Sequence, residues 1–269
     1  MTPHRPRKRF GQHFLKDPGV IEAILEAIAP ADSDVIVEIG PGRGAITAGL
    51  AAVAGALHAI ELDRDLAASL RRRYRDMPSV TIHEADALRF DFASLGDSLR
   101  IVGNLPYNIS TPLLFHLLNY REHICDMHFM LQKEVVDRMA AGPGSKTYGR
   151  LSIMLGCRFA IEALFDVDRS AFEPPPDVTS AVVRLTPLAA GSYDIADDQL
   201  LANVVATAFS QRRKTIRNAL QKIVSEDELV AAGIDPALRA EAIPISHYVA
   251  LAKRVGKRTN AVPAPGAIR

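Results

Sequence analysis

Short apolar runs alternating with helical patterning constrain the fold of this chain more than any other feature. DVIVEI (34–39), ALHAIE (56–61), SVTIHEA (79–85), LRIVGN (99–104) and DMHFML (126–131) each have the length of one buried strand. Between them lie helical stretches such as AITAGLAAVA and DRDLAASLRRRY. Strand and helix in alternation make a parallel sheet flanked by helices, because parallel neighbours need a crossover to join them. A later pair, IEALFDV (161–167) and SAVVRLTP (180–187), is joined by the proline-rich FEPPPDV and reads as adjacent strands added antiparallel. After Pro187 the linker-like LAAGSYDIADD gives way to helical patterning broken by Gly233, Pro236 and Pro244. The pattern predicts an α/β domain over residues 1–188, carrying a basic N-terminal arm. A small all-helical domain over 189–269 follows, with a disordered tail.

The two cysteines, Cys125 and Cys157, have neither C-x-x-C spacing nor a histidine cluster, so no disulfide framework and no metal site is expected. Polar Gly11, Gln12 and His13 interrupt the place where a secretion signal needs its apolar core, and no apolar run approaches the roughly 20 residues of a membrane span. A cytoplasmic monomer with no membrane contact is the expectation. The net charge is only +1, yet fifteen of the 32 basic residues fall in three stretches without a single acid, 1–16, 211–222 and 249–269. The rest of the chain is therefore at −14. Local potential governs phosphate binding, so an acidic body with basic patches can hold a nucleic acid.

VIVEIGPGRGAIT sets a glycine-rich turn between a buried strand and a helix, where backbone N–H groups can approach a nucleotide-like ligand. Gly40 and Gly42 lead this turn, and its G-x-G-x-G spacing is one residue short of the dinucleotide fingerprint. Glu61 closes the next strand, placed to accept hydrogen bonds from both ribose hydroxyls, an arrangement that also fits NAD. Asp86 follows the third strand and can accept from the amino group of an adenine. Each could be an ordinary turn or cap residue alone. On three successive strand ends they describe an adenosine seat without provision for a second nucleotide, which suits S-adenosylmethionine.

The fourth strand end carries GNLPYNISTP (103–112). A turn gains nothing from a bulky phenol at its outer edge. An aromatic amine such as adenine's is a poor nucleophile because its lone pair is delocalised into the ring. The side-chain oxygen of Asn104 and the carbonyl of Leu105 can each accept one amine hydrogen, favouring a tetrahedral nitrogen with its lone pair free. Pro106 stiffens the turn, and Tyr107 offers a face for the extruded base. Phe172 in SAFEPPP is the candidate for a second face.

With these residues assembled, the chain resembles the ribosomal RNA adenine dimethylases, and among them the bacterial enzymes of the small ribosomal subunit. The resemblance runs through RKRFGQHFL, VEIGPGRGAIT, IELDRDL, ADAL, GNLPYNISTPL, HFMLQKEVVDR, SKTYGRLS, FEPPPDVTSAVVRL and QRRKTIRNAL. It implies a Rossmann-like class I S-adenosylmethionine-dependent methyltransferase fold with a helical C-terminal domain. It also implies dimethylation of two adjacent adenosines in the 3′-terminal hairpin loop of 16S rRNA, within an immature 30S subunit. Cofactor contacts are implied at His13, Leu15, Gly40, Glu61, Asp86 and Asn104; position 13 departs from the family, which usually has Asn there. Arg7, Lys8 and Arg9 of the arm, with Arg212, Arg213, Lys214 and Arg217, would hold RNA phosphates and position the hairpin without reading its bases.

Three other readings compete. An NAD-dependent dehydrogenase would need a second nucleotide site and a proton relay, and neither is evident. A DNA amino-methyltransferase commonly has Pro where Leu105 stands and would lack the helical tail. A non-catalytic assembly factor is countered by the intact NLPY turn.

Overall fold

The computed structural model describes residues 12–261, and within them the chain forms two compact units. The first is built on nine strands: β1 (Phe14–Leu15), β2 (Val35–Ile39), β3 (Ala56–Glu61), β4 (Val80–Glu84), β5 (Leu99–Asn104), β6 (Ile124–Gln132), β7 (Phe159–Val167), β8 (Phe172–Glu173) and β9 (Ser180–Pro187). Seven of them form one sheet in the order β4-β3-β2-β5-β6-β9-β7. The pairs β2/β3, β3/β4, β2/β5 and β5/β6 are parallel, while β9 runs antiparallel to β6. The strand order reverses between β2 and β5, so the crossovers diverge there and leave a crevice beyond the carboxyl ends of both strands. The glycine turn leaves β2 into that crevice, and Asn104 ends β5 beside it.

β1 and β8 make a second, two-stranded sheet in which Leu15 faces Phe172 and Phe14 faces Glu173. Lys16 and Asp17 both donate backbone N–H groups to the carbonyl of Ala171, at 2.9 and 3.3 Å. The chain before the first helix is thereby fixed against the loop that leads into FEPPP. That helix, Pro18–Ile28, starts from Asp17, whose carboxylate accepts from Val20 N at 3.1 Å, and has proline in its first turn. It stops at Ala29, which takes the left-handed conformation at φ 47°.

The orphan carbonyls at that helix end find a donor in Arg100. One guanidinium reaches Ile28 O at 2.6 Å and Ala29 O at 3.2 Å, and it also pairs with Asp34 at 2.7 Å and Asp126 at 2.8 Å. The Arg100 side chain is 14% exposed. It ties the first helix, the start of β2, β5 and β6 into one joint.

The second unit joins Asp137–Phe159 to the segment that begins at Leu188. The single boundary expected after residue 188 is thus replaced by a composite one, and the helix Arg150–Gly156 groups with the C-terminal helices. Tyr148 and Tyr248 are fully buried and each packs against Phe209, with ring centroids 6.3 and 6.1 Å from it. Their hydroxyls donate to Ile243 O at 3.0 Å and Ala240 O at 2.9 Å, which makes burial of the two phenols tolerable. The longest helices here are Asp198–Phe209 and Ile245–Ala261, and no strand occurs within 188–261. No helix among the described residues is long and apolar enough to cross a membrane.

Candidate active site

A cavity of about 1180 Å³, open solvent at its mouth included, lies where β2, β3, β4 and β5 end. His13, Leu15, Gly40, Gly42, Glu61, Asp86, Asn104, Leu105, Pro106, Tyr107 and Phe172 all line it. The structure therefore gathers into one cavity lining the candidates read from six separate stretches of sequence. Arg7, Lys8 and Arg9 lie outside the described residues. Arg212, Arg213, Lys214 and Arg217 belong to the helical unit and are exposed there.

Gly40 and Gly42 both have positive φ, 68° and 58°. At Gly42 a methyl group would also press on the Phe14 ring at 3.2 Å, adding a tight contact to the strain of a left-handed backbone. The backbone N–H of Gly42 donates to Glu61 Oε2 at 3.0 Å, while Glu61 Oε1 accepts from Asp63 N at 2.8 Å. This pair of bonds aims the carboxylate and leaves each oxygen a further lone pair for a hydroxyl. Asp86 is similarly steered by its own turn, since Oδ1 accepts from Leu88 N at 2.9 Å. An adenosine-bearing cofactor fits this donor set. Glycines permit close approach, and carboxylates lie at the ends of β3 and of the strand beside it.

Gly103 lets β5 run close to β2, where a methyl group would lie 2.6 Å from Ile39 O. Asn104 follows at the strand end, and its Nδ2 donates to the backbone carbonyl of His13 at 3.2 Å. A carbonyl can only accept, so this bond assigns the amide: nitrogen toward the arm, Oδ1 away from it. Leu105 is anchored through its N–H to Met130 O at 3.1 Å, and Ile109 N to Pro106 O at 3.1 Å closes the turn. Tyr107 is held by a hydroxyl bond of 2.9 Å to Ser180 Oγ. Burial raises the phenol's pKa, a rise that the Ser180 bond offsets only in part, so Tyr107 is neutral through the physiological range.

Two aromatic positions are held by contacts that the sequence does not announce. Phe172 lines the cavity but is 2% exposed and belongs to the core cluster that includes Leu15, Ala171 and Val182. The β1/β8 pairing holds it there as a wall. His13 lines the cavity too, and its imidazole stacks on Tyr107 with centroids 5.9 Å apart and places Nδ1 2.8 Å from Pro174 O. The arm reaches the NLPY turn through both its main chain and its ring.

Sequence reasoning missed three contributors. Phe14 backs the glycine turn and carries the guanidinium of Arg43 4.3 Å above its ring. Ser180 fixes Tyr107 from a strand start 73 residues away. Glu38 lines the cavity from inside β2, is 2% exposed, and has an Oε2 without a hydrogen-bond partner. Desolvation lifts its pKa to about 7, opposed by Thr47 and reinforced by Glu61. The Thr47 hydroxyl is close enough to matter electrostatically, but it makes no aligned bond and is itself unpartnered. The folded state keeps the Glu38 proton at pH values where the unfolded chain has lost it. Stability should therefore fall as pH rises from about 4.5 to about 7, by roughly 3 kcal/mol in all. Glu38→Gln should flatten that slope in urea unfolding at pH 5 and pH 8; an unchanged slope would assign it to another group.

Comparison with known proteins agrees with this geometry. A family model described as ribosomal RNA adenine dimethylase matches residues 3–257. The chain belongs to the ribosomal RNA adenine dimethylase family. It is 56% identical to the ribosomal RNA small subunit methyltransferase A of Thiobacillus denitrificans, over 95% of this chain and 100% of that one. The protein of the same name from Aromatoleum aromaticum is 54% identical, covering 96% and 97%. Among solved structures, a dimethyladenosine transferase from Plasmodium falciparum superposes with a TM-score of 0.81 at 26% identity, covering 92% and 98%. The 23S rRNA methyltransferase ErmE does so with 0.72 at 26%, covering 90% and 99%. The fold of this dimethylase is thus the Rossmann-like methyltransferase sheet with a helical C-terminal part, and its cofactor is S-adenosylmethionine.

Proposed function

We propose that this chain dimethylates the exocyclic amines of two adjacent adenosines in the 3′-terminal hairpin loop of 16S rRNA. It does so as a cytoplasmic monomer acting on an immature 30S particle. The observation that carries the reading is the Asn104 amide, clamped by the His13 carbonyl so that its oxygen is committed as an acceptor at the end of β5. Bound S-adenosylmethionine supplies a methyl group on a sulfonium, an electrophile that already has a good leaving group.

The chain's own work is to make an adenine amine nucleophilic. Asn104 Oδ1 and the Leu105 carbonyl accept its two hydrogens and draw the lone pair out of the ring. The bond from Leu105 N to Met130 O keeps the second acceptor from moving. Tyr107, fixed by Ser180, presents its ring to the base, and Phe172 backs the opposite side. Glu61 holds the ribose of the cofactor, Asp86 its adenine amino group, and His13, Leu15, Gly40 and Gly42 complete that seat. Water takes the proton that the methylated amine sheds.

Incubation with labelled cofactor and unmethylated 30S particles should place label on two neighbouring adenosines near the 3′ end of 16S rRNA, and label elsewhere would refute the substrate assignment. Glu61→Ala should weaken S-adenosylmethionine binding in calorimetry by about tenfold or more, as loss of hydrogen bonds to a charged group does. Unaltered affinity would remove Glu61 from the ribose.

A further inference from the structure

The helical unit contains two exposed turns that meet. Residues 145–148 form a tight one: Tyr148 N donates to Ser145 O at 3.2 Å, Thr147 N to Ser145 Oγ at 3.2 Å, and the Ser145 and Thr147 hydroxyls lie 2.8 Å apart. Lys146 stands exposed at its tip. The turn is pinned on both flanks, by Gly144 N to Glu241 O at 2.7 Å and by the buried ring of Tyr148 against Phe209. The second turn follows the helix Asp198–Phe209, is closed by Lys214 N to Gln211 O at 3.0 Å, and exposes Arg212, Arg213 and Lys214. Arg212 joins the two by donating from Nη2 to Tyr148 O at 3.4 Å.

Several cations of this unit are already neutralised. Arg158, Lys253 and Arg258 are bonded to Asp198, Asp194 and Glu228. Arg217, expected to hold a phosphate, reaches Glu226 at 3.4 Å. Among the described residues Lys146, Arg213 and Lys214 have no carboxylate partner, and Arg212 bonds only to a carbonyl. Cations left without counter-charge on a pinned surface are ready to take phosphates and release the phosphates' counterions, with little ordering still to be done on binding.

We infer that the 145–148 turn and the 211–214 turn form one phosphate-binding surface for RNA, with Lys146 a member of it and Arg217 outside it. The Ser145 and Thr147 hydroxyls supply neutral donors beside the lysine. The inference rests on the RNA-modifying function proposed above and changes which residues touch the substrate.

Binding of the full-length protein to unmethylated 30S particles, followed between about 50 and 200 mM salt, tests it. Lys146→Gln should lower affinity severalfold and reduce the slope of log K against log salt by about one. Arg217→Gln should leave both as in the parent, and Lys146→Arg should restore binding. The triple replacement of Arg212, Arg213 and Lys214 by Gln provides the reference loss. If the triple variant loses binding while Lys146→Gln does not, the joint surface is wrong and the RNA reading stands. If neither loses binding, the placement of RNA on this unit falls as well. A thermal melt of each variant separates loss of contact from loss of fold.

Discussion

Asn104→Ala is expected to cut the rate of methyl transfer by about 10²–10³-fold, the loss typical of removing one preorganised acceptor or donor from a reacting centre. Affinity for S-adenosylmethionine should stay within a few fold, because the glycine turn, Glu61 and Asp86 are built on other strands. The variant also releases the His13 carbonyl from its 3.2 Å bond, so the arm loses one tether to the turn. Single-turnover methylation of 30S particles alongside calorimetry with the cofactor alone distinguishes the two effects. A parallel fall in both quantities would make Asn104 a cofactor ligand and leave the activation of the amine unexplained.

The largest loss of stability is expected at Arg100→Met. The methionine keeps the apolar stem but withdraws the guanidinium donors from Asp34, Asp126, Ile28 O and Ala29 O, leaving Asp34 its bond from Ala31 N at 2.8 Å. Two carboxylates and two helix-terminal carbonyls would be left with their main partner gone in a site that is mostly closed to water. Breaking a buried pair from one side costs about 3–5 kcal/mol, which for a chain of this size lowers Tm by about 10 °C. Adding Asp126→Asn should recover part of the loss by removing one stranded charge. A double variant no more stable than the single one would mean that the carbonyls, and not the carboxylates, set the penalty.

Much of the sheet was legible because parallel strands are covered on both faces and read as unbroken apolar runs. ALHAIE and LRIVGN match β3 and β5 residue for residue. β6 runs two residues before DMHFML and one beyond it, to Ile124 and Gln132, because its pairing with β5 begins at Ile124. The two-residue strands β1 and β8 were invisible, since neither has a periodicity and their pairing spans the whole first unit. That omission hid the burial of Phe172, which faces Leu15 across the β1/β8 pair. Glu38 was hidden by its surroundings, because one carboxylate within VIVEI does not disturb an apolar strand. Tyr107 was readable as a site residue by being out of place in a turn, while its anchor Ser180 had no such anomaly. Helical patterning identifies helices but not the group they pack with, so the allegiance of Arg150–Gly156 needed tertiary structure.

The composite boundary restricts how these enzymes can be recombined. A chimera that exchanges only the tail after residue 188 would supply Phe209 and Tyr248 from one parent and Tyr148 from the other, and the three rings pack as one edge-to-face and tilted cluster. Grafting the helical unit of this chain must carry 137–159 along with the tail, so its portable module is discontinuous in the gene.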